Sequence, residues 1–234
     1  MAKHDIVYIL RNDINESTDE LRYSLRSVER NFPYNKIYFY GGKPKGLQPD
    51  VQIELQQQGF SRWQKVCNTL HQVCLNDDIT PEFWLFNDDF FVIRKQTDDI
   101  PVWYKNVSVR KRCDELRKNG GVSFYQRQLL ATANKLSLKG YGDIDYSLHI
   151  PMLINRAKAL EALNLWPAAP MFRTLYGNYC KLGGILRADV KIQDLETVPD
   201  PGVDFLSTNE TSFKNGEVGN YIRKKFNRKI AREI

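Results

Sequence analysis

The chain has 234 residues, 42% hydrophobic, 12% aromatic and 26% charged, with a net charge of +6. These values suit a globular protein with one sizeable core, at roughly 100–200 residues per domain, and exclude wholesale disorder. No run reaches the ~18 apolar residues that a membrane helix needs. Met1-Ala2-Lys3-His4-Asp5 also lacks the apolar stretch of a secretory signal, so a cytoplasmic protein is expected. Cys67, Cys74, Cys113 and Cys180 form no C-x-x-C pair and read as reduced packing residues.

Asp5 to Leu10 is rich in β-branched and aromatic residues and reads as a buried strand, ending at Arg11-Asn12-Asp13. From Asp19 onward, Leu21, Leu25, Val28 and Phe32 keep helical spacing, with Thr18 or Asp19 as N-cap and Pro33 as terminator. A strand over Lys36 to Tyr40 stops at Gly41-Gly42, and Val51 to Leu55 alternates as a more exposed strand. Between Ser61 and Asn76 the apolar positions Trp63, Val66, Cys67, Leu70, Val73 and Cys74 predict a helix. The apolar run Phe83 to Phe86 then leads into Asn87-Asp88-Asp89.

The order strand, helix, strand, strand, helix, strand predicts an α/β fold with a mainly parallel central sheet. Ligands gather beyond the carboxyl ends of such strands, where Arg11 to Asp13, Gly41-Gly42 and Asn87 to Asp89 would emerge. The second half is less regular. It offers a basic helix around Val109 to Lys118, a Gly120-Gly121 break, and a helical stretch from Asn155 to Leu163 capped by Asn155. Pro167 to Pro170 interrupts, and a Pro- and Gly-punctuated stretch from Val198 to Gly219 follows.

Positive charge concentrates in Lys105 to Lys118 and in the tail. From Tyr221 to Ile234, six basic residues face the single acid Glu233. Such clusters are either solvated faces or sites for a polyanion or an anionic membrane. Tyr221, Ile222, Phe226 and Ile230 recur near helical spacing, so the tail could form an amphipathic helix docked on the body or on lipid.

Asn87-Asp88-Asp89 is the sharpest chemical signal. Two adjacent carboxylates squeezed between Phe83–Phe86 and Phe90–Ile93 need a compensating positive charge, and a divalent cation supplies one. The alternative is a turn in which an Asp caps the next segment. His149 could accept a proton from a hydroxyl nucleophile or join a metal, or it could be structural. Arg173, in an apolar context, should pair with an acid or a phosphate. Arg22 and Arg26 share a helix face at i, i+4 and, with Lys43 and Lys45, offer cations to an anionic ligand. No P-loop, nucleophile elbow, zinc-protease or kinase signature is present. A metal held by acids at a strand end, with arginines nearby, suits a diphosphate leaving group.

At these residues the sequence resembles the Stealth proteins, sugar-phosphate transferases of capsule synthesis and lysosomal-enzyme tagging. Asp19 to Glu29 with Pro33 looks like their second conserved region, and Phe86 to Asp89 is similar to the acidic segment closing it. His149-Ile150-Pro151, Ile154-Asn155-Arg156 and Phe172-Arg173 resemble the third region, and Phe205 to Glu210 the fourth. Ile9 to Asp13 stands where that family carries Trp-Val-Asp-Gly, and Asn209-Glu210 where it carries Asn-Asp. The resemblance implies a GT-A-like, Rossmann-type nucleotide-sugar fold, a divalent metal at Asp88 and Asp89, and roles for His149 and Arg173.

The sequence therefore predicts a single-domain, metal-dependent transferase using Mn2+ or Mg2+, which moves a sugar or sugar-1-phosphate from a nucleotide-sugar to a hydroxyl. Residues 1–100 would bind the nucleotide-sugar, 101–213 would cover the active edge, and 214–234 would form a basic tail or helix. His149, Asp89 and Arg173 are the expected catalytic residues, Asp88 and Asp89 the metal ligands. Arg11, Asn12, Asp13, Arg22, Arg26 and Asn87 would surround the donor. The acceptor would be a glycan or a hydroxylated DNA base, and the tail could meet an anionic membrane. The rival is a non-enzymatic module in which the basic tail grips nucleic acid or a membrane surface and the acid pair is structural.

Overall fold

The computed structural model describes residues 4–14, 18–166 and 171–234. The expected break at Pro167 to Pro170 lies outside them, as do the first three residues. In chain order the elements are β1 (Asp5–Leu10), α1 (Asp19–Asn31), β2 (Ile37–Gly41), β3 (Val51–Glu54), α2 (Arg62–Leu75), β4 (Glu82–Phe86), β5 (Phe90–Val92) and β6 (Trp103–Tyr104). Then come α3 (Val109–Lys118), α4 (Phe124–Leu138), β7 (Met152–Asn155), α5 (Arg156–Leu165) and α6 (Phe172–Tyr179). The chain finishes with β8 (Ile185–Leu186), β9 (Lys191–Ile192), β10 (Phe205–Thr208), α7 (Glu210–Asn215) and α8 (Glu217–Lys225).

The central sheet runs β3-β2-β1-β4-β7. Its first four strands are parallel and β7 is antiparallel to β4, so the mainly parallel α/β expectation holds. Alternation along β1 explains the layering, because successive side chains face opposite sides of a strand. Ile6, Tyr8 and Leu10 meet Leu21, Leu25, Val28 and Phe32 of α1. Val7 shares the other face with Tyr38 and Tyr40 and meets Cys67, Leu70 and Val73 of α2 and Ala159 and Leu163 of α5. Each such large apolar side chain contributes about 1.5–3 kcal/mol on burial. Phe32 adds edge-to-face packing on Trp84 and Phe86, with centroids 5.4 and 5.1 Å away.

Local signals set the helix starts. Ser61 accepts from the Gln64 N–H, Ser123 and Gln126 form a capping box on α4, and Asn155 accepts from the Lys158 N–H. Thr18 precedes α1 but makes no side-chain cap bond.

A second sheet, β5-β10-β9, begins where β4 stops. Its β5 pairs antiparallel with β10, which pairs in parallel with β9. Behind it Phe91 stacks on Phe213 at 5.7 Å, and Val218 and Ile222 of α8 close a separate core with Phe226.

The tail follows the expected amphipathic helix in part: it docks on the body through Tyr221, Ile222 and Phe226, but it is shorter. Its helix begins at Glu217 and ends at Lys225, so Ile230 lies beyond it. The final residues return to α1, where the Glu233 carboxylate receives Arg26 Nε at 2.7 Å and Arg22 Nη1 at 3.1 Å. Arg232 meets Glu29 at 2.6 Å and Asp50 at 2.8 Å. Arg22 and Arg26 are thus committed to the chain's own end. The helix face they share was read correctly, but its partner is a carboxylate 207 positions from Arg26. No helix among the described residues is long and apolar enough to cross a membrane.

Candidate active site at the seam of two sheets

The four parallel strands end together, with Leu10 beside Gly41 and Tyr8 beside Phe86. Their approach is close: Gly41 has φ +110°, and a Cβ there would lie 2.1 Å from the Leu10 carbonyl oxygen. Only glycine suits that conformation and contact. The turn Asn87-Asp88-Asp89 follows β4, with the Phe90 N–H donating to the Asn87 carbonyl at 3.3 Å. Because β4 belongs to one sheet and β5 to the other, the two acids lie at the seam.

A cavity of about 270 Å³ opens there, lined by Asn87, Asp88, Phe90, His149 and Arg173 among others. It continues into an outer chamber of about 760 Å³, with Asn87, Tyr125, Ser147 and His149 common to both.

Asp88 and Asp89 have different settings. Among the described residues no other side chain donates a hydrogen bond to Asp88. Burial, reinforced by the neighbouring Asp89 charge, pushes its carboxyl up to about 6, against the pull of Arg11 and Lys191. Asp89 Oδ2 receives Lys191 Nζ at 2.8 Å and Ser207 Oγ at 3.1 Å, while its Oδ1 is buried without a partner. Glu20, bound by the Thr208 hydroxyl at 2.6 Å, is the third acid of this region. Burial, and then the Asp89 and Asp88 charges, push it to about 7 in spite of that hydrogen bond.

Arg173, on the first turn of α6, reaches back toward the seam. It donates to the Ile150 carbonyl at 2.6 Å and the Leu85 carbonyl at 3.4 Å, with its guanidinium 5.2 Å from the Phe90 ring centre. No carboxylate lies within ion-pairing distance of it among the described residues, and burial pulls its pKa down to about 10. It is a half-buried cation with no ion-pair partner among the described residues.

His149 is held twice by Asp189: its Nδ1 lies 2.8 Å from Oδ2 and its backbone N–H donates to Oδ1 at 3.1 Å. Lys105 Nζ reaches the same Oδ2 at 2.8 Å. Burial works to raise the Asp189 carboxyl, but His149 and Lys105 outweigh it and hold the group far below the usual carboxylate range. Being ionised, Asp189 can only accept, so Nδ1 carries a proton, and in the neutral imidazole Nε2 is the nitrogen with the free lone pair. Asp143 and Asp145, which precede His149 in sequence, are used elsewhere. Asp143 binds Ser108 and Arg110, and Asp145 binds Ser147 and Asn106.

Asp189, Lys191 and Glu20 were not among the expected site residues. Asp189, Lys191 and Gln193 alternate with Val190 and Ile192, and all three line the outer chamber. That period-two pattern was the signal for the first two. Of the remaining expected residues, Arg11 pairs with Asp13 at 3.4 Å, and Asn12 accepts from the Gln57 N–H at 3.3 Å. They follow β1 at the same edge without lining either cavity. Lys43 pairs with Glu54 on the surface at 3.0 Å.

Among the described residues no group of three or more His, Cys, Asp or Glu side chains is placed to hold an ion. The donor set nevertheless fits magnesium or manganese, which commonly take one or two carboxylates and complete their shell with phosphate and water. Asp88 and the orphaned Asp89 Oδ1 are the two oxygens available.

No family model matches the chain, and no curated protein matches it. Among solved structures it is similar to the galactosyltransferase LgtC in complex with donor and acceptor sugar analogs, at 12% identity and a TM-score of 0.41, covering 98% of this chain and 85% of that one. It is also similar to the apo form of the glycosyltransferase GlyE of Streptococcus pneumoniae TIGR4, at 12% identity and a TM-score of 0.35, covering 80% of this chain and 45% of that one.

Proposed function

We propose that the protein is a metal-dependent transferase that moves a sugar or sugar-1-phosphate from a nucleotide-sugar to a hydroxyl acceptor, on a GT-A-like fold related to the Stealth proteins. The observation that carries this reading is the meeting, in one cavity, of Asp88 and Arg173, neither of them ion-paired among the described residues, with a histidine fixed by Asp189. Mn2+ or Mg2+ at Asp88 and Asp89 Oδ1 would offset charge developing on the departing phosphate. Arg173 adds a fixed positive charge in a site of low dielectric, where it is worth more than in water. Asn87 borders the donor at the carboxyl edge of the sheet, whereas Arg11, Asn12 and Asp13 lie at the same edge outside the cavity.

His149 Nε2 takes the proton of the acceptor hydroxyl. For glycosyl transfer, the acceptor oxygen bonds to the anomeric carbon as the bond to the diphosphate breaks. For sugar-1-phosphate transfer, it bonds to the distal phosphorus and a nucleoside monophosphate leaves. Lys191 holds Asp89, and through it the acidic turn, in place. Of the tail's basic residues Arg232 is folded back in ion pairs, while the exposed Lys224, Arg228 and Lys229 are what a nucleic-acid- or membrane-binding alternative would use.

The test is turnover of a panel of nucleotide-sugars with Mn2+ and mixed sugar acceptors, following the released nucleotide. A nucleoside diphosphate identifies glycosyl transfer and a monophosphate identifies sugar-1-phosphate transfer. Release of neither, at any metal concentration, overturns the proposal.

A further inference from the structure

We infer that the outer chamber is the acceptor subsite and that its acceptor is a sugar bearing an anionic group, a phosphate or a carboxylate. This rests on the transferase reading above and narrows it.

The chamber shares the His149 wall with the inner cavity, so a hydroxyl presented from it can reach the proton acceptor. Its charge is unbalanced. The wall acids Asp145 and Asp189 are already satisfied, the first by Ser147 and Asn106 and the second by His149 and Lys105. Lys191 is spent on Asp89. Arg62 and Arg112 remain. Arg62 is exposed and makes no ion pair among the described residues, its guanidinium lying 4.7 Å from the Trp63 ring centre. Arg112 has only Glu115, at 3.5 Å on its own helix and half exposed, a pairing worth little in water. Asp145 keeps its charge, since its partners are neutral, but Arg62 and Arg112 outnumber it, so an anion entering the chamber meets a net positive wall.

The same mouth carries an aromatic platform. The N-terminal turns of α2 and α4 bring Trp63 and Phe124 to 5.5 Å between ring centres, and Phe124 is 58% exposed although large and apolar. Arg127 continues the stack at 5.7 Å from the Phe124 ring. Flat apolar faces flanked by guanidinium groups suit the apolar face of a sugar ring carrying a charged substituent.

Single-stranded nucleic acid also combines stacking with positive charge. Here, however, the surplus arginines surround one chamber of about 760 Å³ rather than following a groove at phosphate spacing. In the most basic segment, Arg232 is tied to Glu29 and Asp50, and Arg223 to Asn220.

The test is ligand-observed NMR titration of the full chain with glucose 6-phosphate, glucuronate, methyl glucoside and a ten-nucleotide oligothymidylate. Binding of nucleoside diphosphates with Mn2+ is measured in parallel. The expected result is that glucose 6-phosphate and glucuronate bind at least tenfold more tightly than methyl glucoside. Arg62→Gln with Arg112→Gln should abolish that preference while nucleotide binding is retained, and both substitutions are at exposed positions compatible with folding. Equal binding of methyl glucoside, or a preference that survives the double substitution, overturns the inference and leaves the transferase reading standing if nucleotides still bind. Tighter binding of the oligonucleotide overturns it in favour of a nucleic-acid acceptor. Loss of nucleotide binding in the unsubstituted protein removes the transferase reading and this inference with it.

Discussion

Asp189 grips His149 at two points, the ring Nδ1 at 2.8 Å and the backbone N–H at 3.1 Å, so one carboxylate fixes both the position and the tautomer of the imidazole. An amide in its place can present its NH2 to Nδ1 and hold the wrong tautomer. Asp189→Asn should therefore lower kcat by about 10²–10⁴-fold, the usual worth of positioned proton transfer. The pH–rate profile should change shape while nucleotide affinity is unchanged. Stopped rates over pH 5–9 beside nucleotide titrations check this, and an intact profile would return Asp189 to a merely structural role.

Arg173 should separate binding from stability. Its lowered pKa means that the fold disfavours its charge, so Arg173→Met should leave the melting temperature no lower than that of the parent. Nucleotide-sugar affinity should fall by roughly 10–100-fold, or about 1.4–2.8 kcal/mol. Arg173→Lys should not restore it, since an ammonium lacks the fork that spans the Ile150 and Leu85 carbonyls. Calorimetry on the three proteins reads both effects.

The C-terminal latch gives a prediction independent of chemistry. Arg26 and Glu233 are 7% and 3% exposed, and breaking a buried pair leaves an uncompensated charge worth about 3–5 kcal/mol. Glu233→Gln should lower the melting temperature by about 6–20 °C for a chain of this size. Arg26 holds the Glu233 carboxyl down at about 2, so this contribution is present above the normal carboxylate pKa and lost as pH falls toward 2. The gap between the melting temperatures of the two proteins should be widest at pH 7, narrower at pH 3 and closed only as pH falls to about 2.

Asp88 and Glu20 act in the opposite sense. Their folded pKa values, about 6 and about 7, lie above the unfolded ones, so the folded state binds more protons and stability falls as pH rises from about 4 to 7. In metal-free protein, Glu20→Gln should flatten this decline and raise the melting temperature at pH 7.5, and Mn2+ should do the same for the parent protein. A metal-free melting temperature that climbs steadily over that range would contradict the assignment.

Much of the frame was legible because its signals are local. The apolar run ending in Asn87-Asp88-Asp89 announced β4 and the acidic turn, the helical spacing of Trp63, Val66, Leu70 and Val73 announced α2, and Asn155 announced α5. The antiparallel β7 and the helices α4 and α6 went unread: Met152–Asn155 is too short to show a period, whereas Phe172, Leu175, Tyr176 and Tyr179 do keep helical spacing and were overlooked beside Pro167 to Pro170. Arg22 and Arg26 show the limit most clearly. Spacing of four places both on one helix face, but only long-range packing reveals that this face meets Glu233. Asp189 was hidden for a related reason. It lies just before the two-residue strand β9 and 40 positions beyond its histidine, and the nearer acids Asp143 and Asp145 were the more obvious candidates.

The most direct measurement is the melting temperature of the parent protein and of Asp88→Asn in the presence of Mn2+ and a panel of nucleotide-sugars. A ligand that binds only the folded state at 100 times its Kd stabilises it by about 2.7 kcal/mol, a rise of roughly 5–11 °C for this chain. The account predicts such a rise for at least one nucleotide-sugar with the parent protein and none with Asp88→Asn. An equal rise in both proteins, or none in either, would contradict it.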